Sequence, residues 1–467
     1  MGFLSRLVSA IKRFTSASFG FRLFYPLLEK IIDGAKSFLL ETEISFYNNS
    51  AFFWVTVKKV KKNNLAAKAF DDGDGIVRLA PTWVPRVFLT PGGRLKLAPE
   101  DLYSLGVQRG GIDERWLAST VKADNPGAPD DEGLSYIVAK DGAKTEKVLL
   151  KEAISEIGEK ILGKNVMHKY GGWTVLTKFF DNAGPIPFHL HQREEHARLV
   201  GQASKPEAYY FPIQLNVIEG RFPYTFLGLN PETTKDDIKK CIQRWDRGDN
   251  GILAYSKAYK LMPETGWLIQ AGILHAPGTY VTYEVQKASD VASMYQSTLE
   301  DRPVSKDLLL KNVPPEHRDD LDYIVGMIDW EVNVDPEFKR HHYAEPKFIG
   351  KPEETRKEGY THKWIAYGTD EFSAKKLTVL PKSTVKIRDE AAYGLIVIQG
   401  HGTIGMFDVE CPTMVMYGEL TEDELFVTVE AAKDGVEVVN KSNTENLVVL
   451  KHFGPGNPAT PKTLAGS

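Results

Sequence analysis

The stretch PIPFHLHQREEHARL, residues 185–199, decides how this chain is read. Its centre is His189-Leu190-His191 within an apolar run. In a strand, residues i and i+2 project to one face, so the two imidazoles point the same way. Two further donors lie in strand-like segments downstream. Glu207 sits in KPEAYYFPIQLNVI, and His275 sits in GWLIQAGILHAPG, just ahead of the turn signal Pro277-Gly278. Ligands on neighbouring strands of a barrel converge inside it. Three imidazoles with one carboxylate suit a divalent Zn, Mn, Fe, Ni or Cu ion, and the lack of thiolates argues against a closed structural zinc site. An HxH pair alone is equally compatible with ordinary strand histidines, so the flanking sequence has to decide.

Working outward, 467 residues suit two or three domains. A net charge of −4 gives no electrostatic footprint for nucleic acid. Cys241 and Cys411 are far apart, imply no disulfide framework and fit a reducing, cytoplasmic compartment. No apolar run is long enough to span a membrane. The N-terminal run MGFLSRLVSAIKRFTSASFGFRLFYPLL has no acid before Glu29 and carries Arg6, Lys12, Arg13 and Arg22. Leu4, Leu7, Val8, Ile11 and Phe14 share one helical face. That pattern suits a targeting or membrane-surface helix, or one that covers the adjoining domain. Residues 1–75 are expected to form this amphipathic helical extension.

From Ile76 short β-rich runs alternate with Gly/Pro turns, the mark of a sandwich or barrel. Two helical insertions interrupt them, LLKEAISEIGEKILGK and NPETTKDDIKKCIQRWDRGDNGIL. The metal-binding domain is expected over 76–310 and a helical linker over 311–345. In that linker the pair His341-His342 reads as solvated. A second β-rich unit is expected over 346–467. It offers Lys386-Ile387-Arg388 where the first offers HLH, so it reads as a barrel without metal.

Residues 110–302 resemble class I mannose-6-phosphate isomerases of the cupin superfamily. Six segments carry the resemblance in order: ERWLAST, GLSYIV, WTVLTKFFDNAGPIPFHLH, KPEAYYF, TGWLIQAGILHAPG and YEVQKASDVASMYQ. The resemblance implies a mostly β chain of two cupin (jelly-roll) barrels with helical insertions. It implies metal ligands at His189, His191, Glu207 and His275, the first being commonly Gln in the family. Lys205 matches an active-site lysine, and Glu284 and Asp290 match acidic positions that face substrate. The family's S-D-x-x-x-R arginine falls on Met294, and a serine that helps hold phosphate falls on Pro187. Arg193, Arg198 and Arg115 are the available replacements. In other cupins a glutamate soon after the HxH pair binds the metal, which makes Glu194 and Glu195 alternatives to Glu207.

The expected activity is aldose–ketose isomerisation of a sugar or sugar phosphate through an enediol. One divalent ion, zinc first, would assist, with Lys205, Glu284 and Asp290 as catalytic residues. A non-catalytic metal- and sugar-binding cupin and a cupin dioxygenase are the alternatives.

Overall fold

The computed structural model describes residues 42–49, 52–59, 65–141, 144–218 and 222–464. The chain divides into two units, Met1–Leu65 and Ala66–Ser467. In the first unit, Thr42–Asn49 pairs antiparallel with Phe52–Lys59, Thr42 opposite Lys59. The helical reading of the extension therefore fails over 42–49 and 52–59. The reason lies in TEISFYNN and FFWVTVKK, which are rich in the aromatic and β-branched residues that favour strands. The basic amphipathic stretch before residue 42 lies outside the described residues.

The second unit is mostly β and contains two cupin barrels. In each, a seven-stranded sheet is completed by a smaller one. The first large sheet runs, edge to edge, Tyr343–Ala344, Gly266–Ile269, Glu207–Tyr210, Thr282–Lys287, Val175–Phe180, Ile112–Leu117 and Thr82–Pro85. Its partner is a five-stranded sheet, Ser256–Lys260, Tyr224–Leu229, His275–Ala276, His189–Leu190 and Ser293–Met294. The second large sheet runs Lys347–Phe348, Tyr360–Ala366, Ser373–Val379, Leu447–Phe453, Tyr393–Gln399, Glu424–Val427 and Ile76–Arg78. A four-stranded sheet completes that barrel.

The large sheets pack back to back, which explains their sequences. Glu207–Tyr210 and Val175–Phe180 are buried at every position. Such strands lose the polar/apolar alternation of a half-exposed sheet. Ala208, Tyr210, Tyr283 and Val285 join Ala374, Ile396, Phe426 and Leu450 in the largest core. Their neighbours Glu207, Tyr209 and Glu284 point to the opposite face, into the first barrel, where Tyr209 packs with Phe180, Leu227 and Trp267.

One edge strand crosses from ahead of the first barrel to the second, and another comes from the connecting segment. Ile76–Arg78, which precedes every strand of the first barrel, pairs with Glu424–Val427 of the second. Tyr343–Ala344, from the segment between the barrels, pairs with Gly266–Ile269 of the first. Arg115 ties the barrels through two 2.7 Å contacts to Asp423 and one of 3.4 Å to Glu424, all three side chains buried. Removing one partner of a buried ion pair leaves a buried charge uncompensated. Arg115→Met is expected to cost about 3 kcal/mol or more, measured by urea unfolding. A loss below ~1 kcal/mol would place the inter-barrel stability in apolar contacts alone.

Both helical insertions form. Leu150–Leu162 buries Leu150, Ala153, Ile154, Ile161 and Leu162. Lys235–Gln243 starts on a capping box between Thr234 and Asp237. Between the barrels lie short helices, Leu321–Gly326, Trp330–Asn333 and Phe338–His342. His341 and His342 do point apart, but only His341 is solvated. His342 is buried against Phe338, its Nδ1 3.1 Å from the Leu268 carbonyl.

Candidate metal centre

The two barrel sheets bring four donors together. His189 stands directly opposite His275 in the five-stranded sheet, ring centroids 4.1 Å apart, and His191 follows just beyond the strand. Glu207 comes from the seven-stranded sheet, opposite Gln286 and Ile269. All four are buried. Each imidazole turns Nδ1 to a backbone carbonyl: His189 to Pro187 at 2.6 Å, His191 to Val291 at 2.7 Å and His275 to Ile273 at 2.9 Å. A nitrogen facing a carbonyl must carry the proton, so each Nε2 presents its lone pair to the barrel interior.

Those lone pairs meet a carboxylate. His191 Nε2 lies 3.0 Å from Glu207 Oε2, and His275 Nε2 lies 3.1 Å from Glu207 Oε1. His275 Nε2 and both Glu207 oxygens have no directed hydrogen bond. Two acceptors at such distances repel unless a cation lies between them. Two bonds of about 2.1 Å to one ion, at angles between square and tetrahedral, separate donors by roughly 3.0–3.4 Å. The three imidazoles, clustered within 4.8 Å, can hold a metal ion, and the donor set fits one.

Protonation states agree with that chemistry. Burial pushes the His189 imidazole far below its ordinary range. Burial and the Lys205 ammonium push His191 down to about 4. Burial opposes the Glu207 charge, but the Lys205 ammonium holds this carboxyl well below the usual carboxylate range. Neutral imidazoles and an ionised carboxylate are the forms that bind a metal.

An acid–base group adjoins the donors. Lys205 Nζ is 3.2 Å from Glu207 Oε2, 3.2 Å from His191 Nε2 and 3.5 Å from Glu284 Oε1. Lys178 Nζ is 3.7 Å from the same Glu284 oxygen and 2.9 Å from Glu114. Burial, then the neighbouring Glu207 charge, raises the Glu284 carboxyl to about 7 despite the two lysines. Asp290 behaves oppositely. Both of its oxygens sit 3.3 Å from the Arg86 guanidinium, which outweighs burial and holds this carboxyl far below its ordinary value. Arg86 also donates to Glu114 and to Asn125, both at 3.2 Å.

Lys205 and Glu284 thus lie beside the four donors, and Asp290 lies behind them on Arg86. Glu194 accepts the Ser204 N–H at 3.0 Å and pairs with Arg198, while exposed Glu195 pairs with Arg193. Neither reaches the imidazoles' cluster. Arg115 is committed between the barrels, and Arg198 is exposed. Met294 is buried, its backbone paired with His189. Sequence reasoning missed Arg86, Glu114 and Lys178 as site residues. Lys178 and Glu114 stand inside WTVLTKFF and ERWLAST, and their places on inward faces could have flagged them. Arg86 in TWVPRVF had no signal, because Asp290 lies 204 residues away.

No protein-family model matches the chain, and no curated protein matches it in sequence. Solved structures do match in fold. A mannose 6-phosphate isomerase from Bacillus subtilis aligns with a TM-score of 0.54 and 15% identity, covering 81% of this chain and 99% of that one. A putative mannosephosphate isomerase from Archaeoglobus fulgidus aligns at 0.53 and 13%, covering 81% and 97%. A mannose 6-phosphate isomerase bound with zinc and yttrium aligns at 0.53 and 14%, covering 82% and 100%. The fold is therefore the cupin fold of mannose-6-phosphate isomerases. Among the described residues no helix is long and apolar enough to cross a membrane.

Proposed function

We propose that this chain is a metal-dependent aldose–ketose isomerase of the mannose-6-phosphate isomerase type, acting on a sugar or sugar phosphate. The observation that carries the reading is the placement of Glu284, a buried carboxyl 3.5 Å from Lys205 Nζ, which itself lies 3.2 Å from Glu207 of a four-donor set. His189, His191, Glu207 and His275 hold the ion, and zinc suits three imidazoles with one carboxylate. A divalent ion bound there would polarise a substrate carbonyl and favour the oxyanion that forms as the proton leaves.

The remaining chemistry belongs to side chains. Moving a proton between C1 and C2 needs a base that is partly ionised near neutral pH, and Glu284 meets that condition. It takes the proton from the carbon beside the carbonyl and returns it to the neighbouring carbon. Lys205 and Lys178 flank it with N–H donors for the enediolate oxygens. Asp290 stays ionised and orients Arg86, so proton transfer is assigned to Glu284 alone.

The test is deuterium incorporation at C2, followed by NMR, with metal-loaded protein in D2O and a panel of free and phosphorylated sugars. Exchange with at least one aldose or ketose is expected. Sugar binding without exchange would sink the isomerase reading in favour of a binding cupin. Oxygen consumption with a redox metal would sink it in favour of a dioxygenase.

A further inference from the structure

The second barrel carries its own buried ionic cluster. In the first large sheet the third and fourth strands, counted from the Tyr343–Ala344 edge, supply Glu207 and Glu284. In the second, counted from the Lys347–Phe348 edge, the third and fourth strands supply Lys375 and Lys451, directly opposite each other. Both lysines lie on the strand face that carries Leu377, Val379, Val449 and Phe453, the lining of the barrel's inner core.

Asp389 joins the two. Lys375 Nζ is 2.5 Å from its Oδ1 and Lys451 Nζ is 2.6 Å from its Oδ2. The lysines are 4% and 2% exposed and Asp389 is 2% exposed. Asp389 is the one carboxylate acting on Lys451 among the described residues. Two lysines share one carboxylate, so with both protonated the interior carries a surplus positive charge, and burial lowers the Lys451 ammonium from its ordinary range against the pull of Asp389. A charge so placed is costly unless it is paired. Aromatic faces offset part of the cost: Lys375 lies 4.3 Å from the Trp364 ring centre, and Lys451 lies 4.9 Å from that of Tyr393.

The cluster holds more donors than its one carboxylate engages. Each ammonium has three N–H groups and directs one hydrogen bond to Asp389. His362, 5% exposed, lies close enough to feel Lys451, Asp389 and Lys375, and its Nε2 has no partner. Burial, then Lys451, keeps that imidazole neutral, so it brings a hydrogen-bonding nitrogen without a further charge.

We propose that the interior of the second barrel is a binding site for a small oxyanion, a carboxylate or a phosphate, held by Lys375, Lys451 and His362. The anion would balance the surplus charge and engage the unused donors. The site is distinct from the metal centre and does not rest on the isomerase reading.

The experiment is calorimetric titration of the full chain with inorganic phosphate and with acetate, against chloride at equal ionic strength. Saturable binding of phosphate or acetate is expected, and which one binds distinguishes the two chemistries. Lys451→Met removes the surplus charge, leaves Lys375 paired with Asp389, and should weaken binding by at least ~10-fold. Asp389→Asn removes the competing carboxylate. The proposal expects tighter binding there and an anion-dependent rise in unfolding temperature larger than that of the unaltered protein. Absence of saturable binding in the unaltered protein would overturn the site. So would a Lys451→Met variant that binds as well as the unaltered chain. If Lys451→Met fails to fold, the Asp389→Asn comparison alone decides, and an unchanged response there overturns the proposal.

Discussion

Glu207→Gln is expected to leave a folded protein that cannot retain a divalent ion, with metal affinity reduced by more than ~100-fold. Loss of a residue that merely orients a ligand costs about 10–100-fold, and Glu207 contributes donor atoms themselves. It is the only charged member of the set, and its two oxygens lie 3.0 and 3.1 Å from two imidazole nitrogens. The amide preserves volume, so no cavity opens at the site. Lys205 keeps Glu284 as a counter-charge at 3.5 Å, which protects the fold. Metal content after dialysis is the measurement, with Glu195→Gln as the comparison. Retention by the Glu207 variant and loss by the Glu195 variant would move the carboxylate ligand to the segment after His191.

Glu284→Gln is expected to lower the C2 exchange rate by about 10²–10⁴-fold while leaving metal content unchanged, the range typical for a lost general base. Asp290→Asn should fall far less, because Asp290 acts through Arg86. The pH dependence separates this role from a structural one. Glu284 works ionised, so activity rises with pH, and the limb lies at or below about 7 because a nearby divalent ion favours the carboxylate. In metal-free protein the same group affects stability with a defined sign. Its carboxyl stands at about 7 in the fold against an ordinary 4.5, so between those values the native state binds the extra proton. Stability from this group is full below 4.5 and is lost as pH rises through 7. The Gln variant should flatten that slope. An unchanged slope together with unchanged exchange would remove Glu284 from the mechanism.

The cluster of candidate donors was legible because strand period aims His189 and His191 together, and the surrounding motifs pointed to Glu207 and His275, which the fold places beside them. The same motifs pointed to Lys205 and Glu284, which the fold places next to Glu207 and to each other. Arg86 was not, since its meaning depends on a partner brought near only by the folded sheet. The packing of barrel on barrel was equally hidden. Strands such as EAYY and VLTKFF are buried on both faces and carry no pattern that says which face meets which neighbour. The paired strands 42–49 and 52–59 were missed because the basic amphipathic run ahead of them coloured the whole extension.

The crossing edge strand carries a consequence for synthesis. Arg78 donates to the Thr421 carbonyl 343 residues further on. A strand made first must wait for a partner made long after it. Loop closure over such a span is slow and comes late. The first barrel's sequence is complete long before the second can seal, so the nascent chain carries an unpaired strand until Glu424–Val427 is made. Unpaired strand edges invite association with other chains. A shortened chain ending before Glu424 would keep that edge exposed permanently.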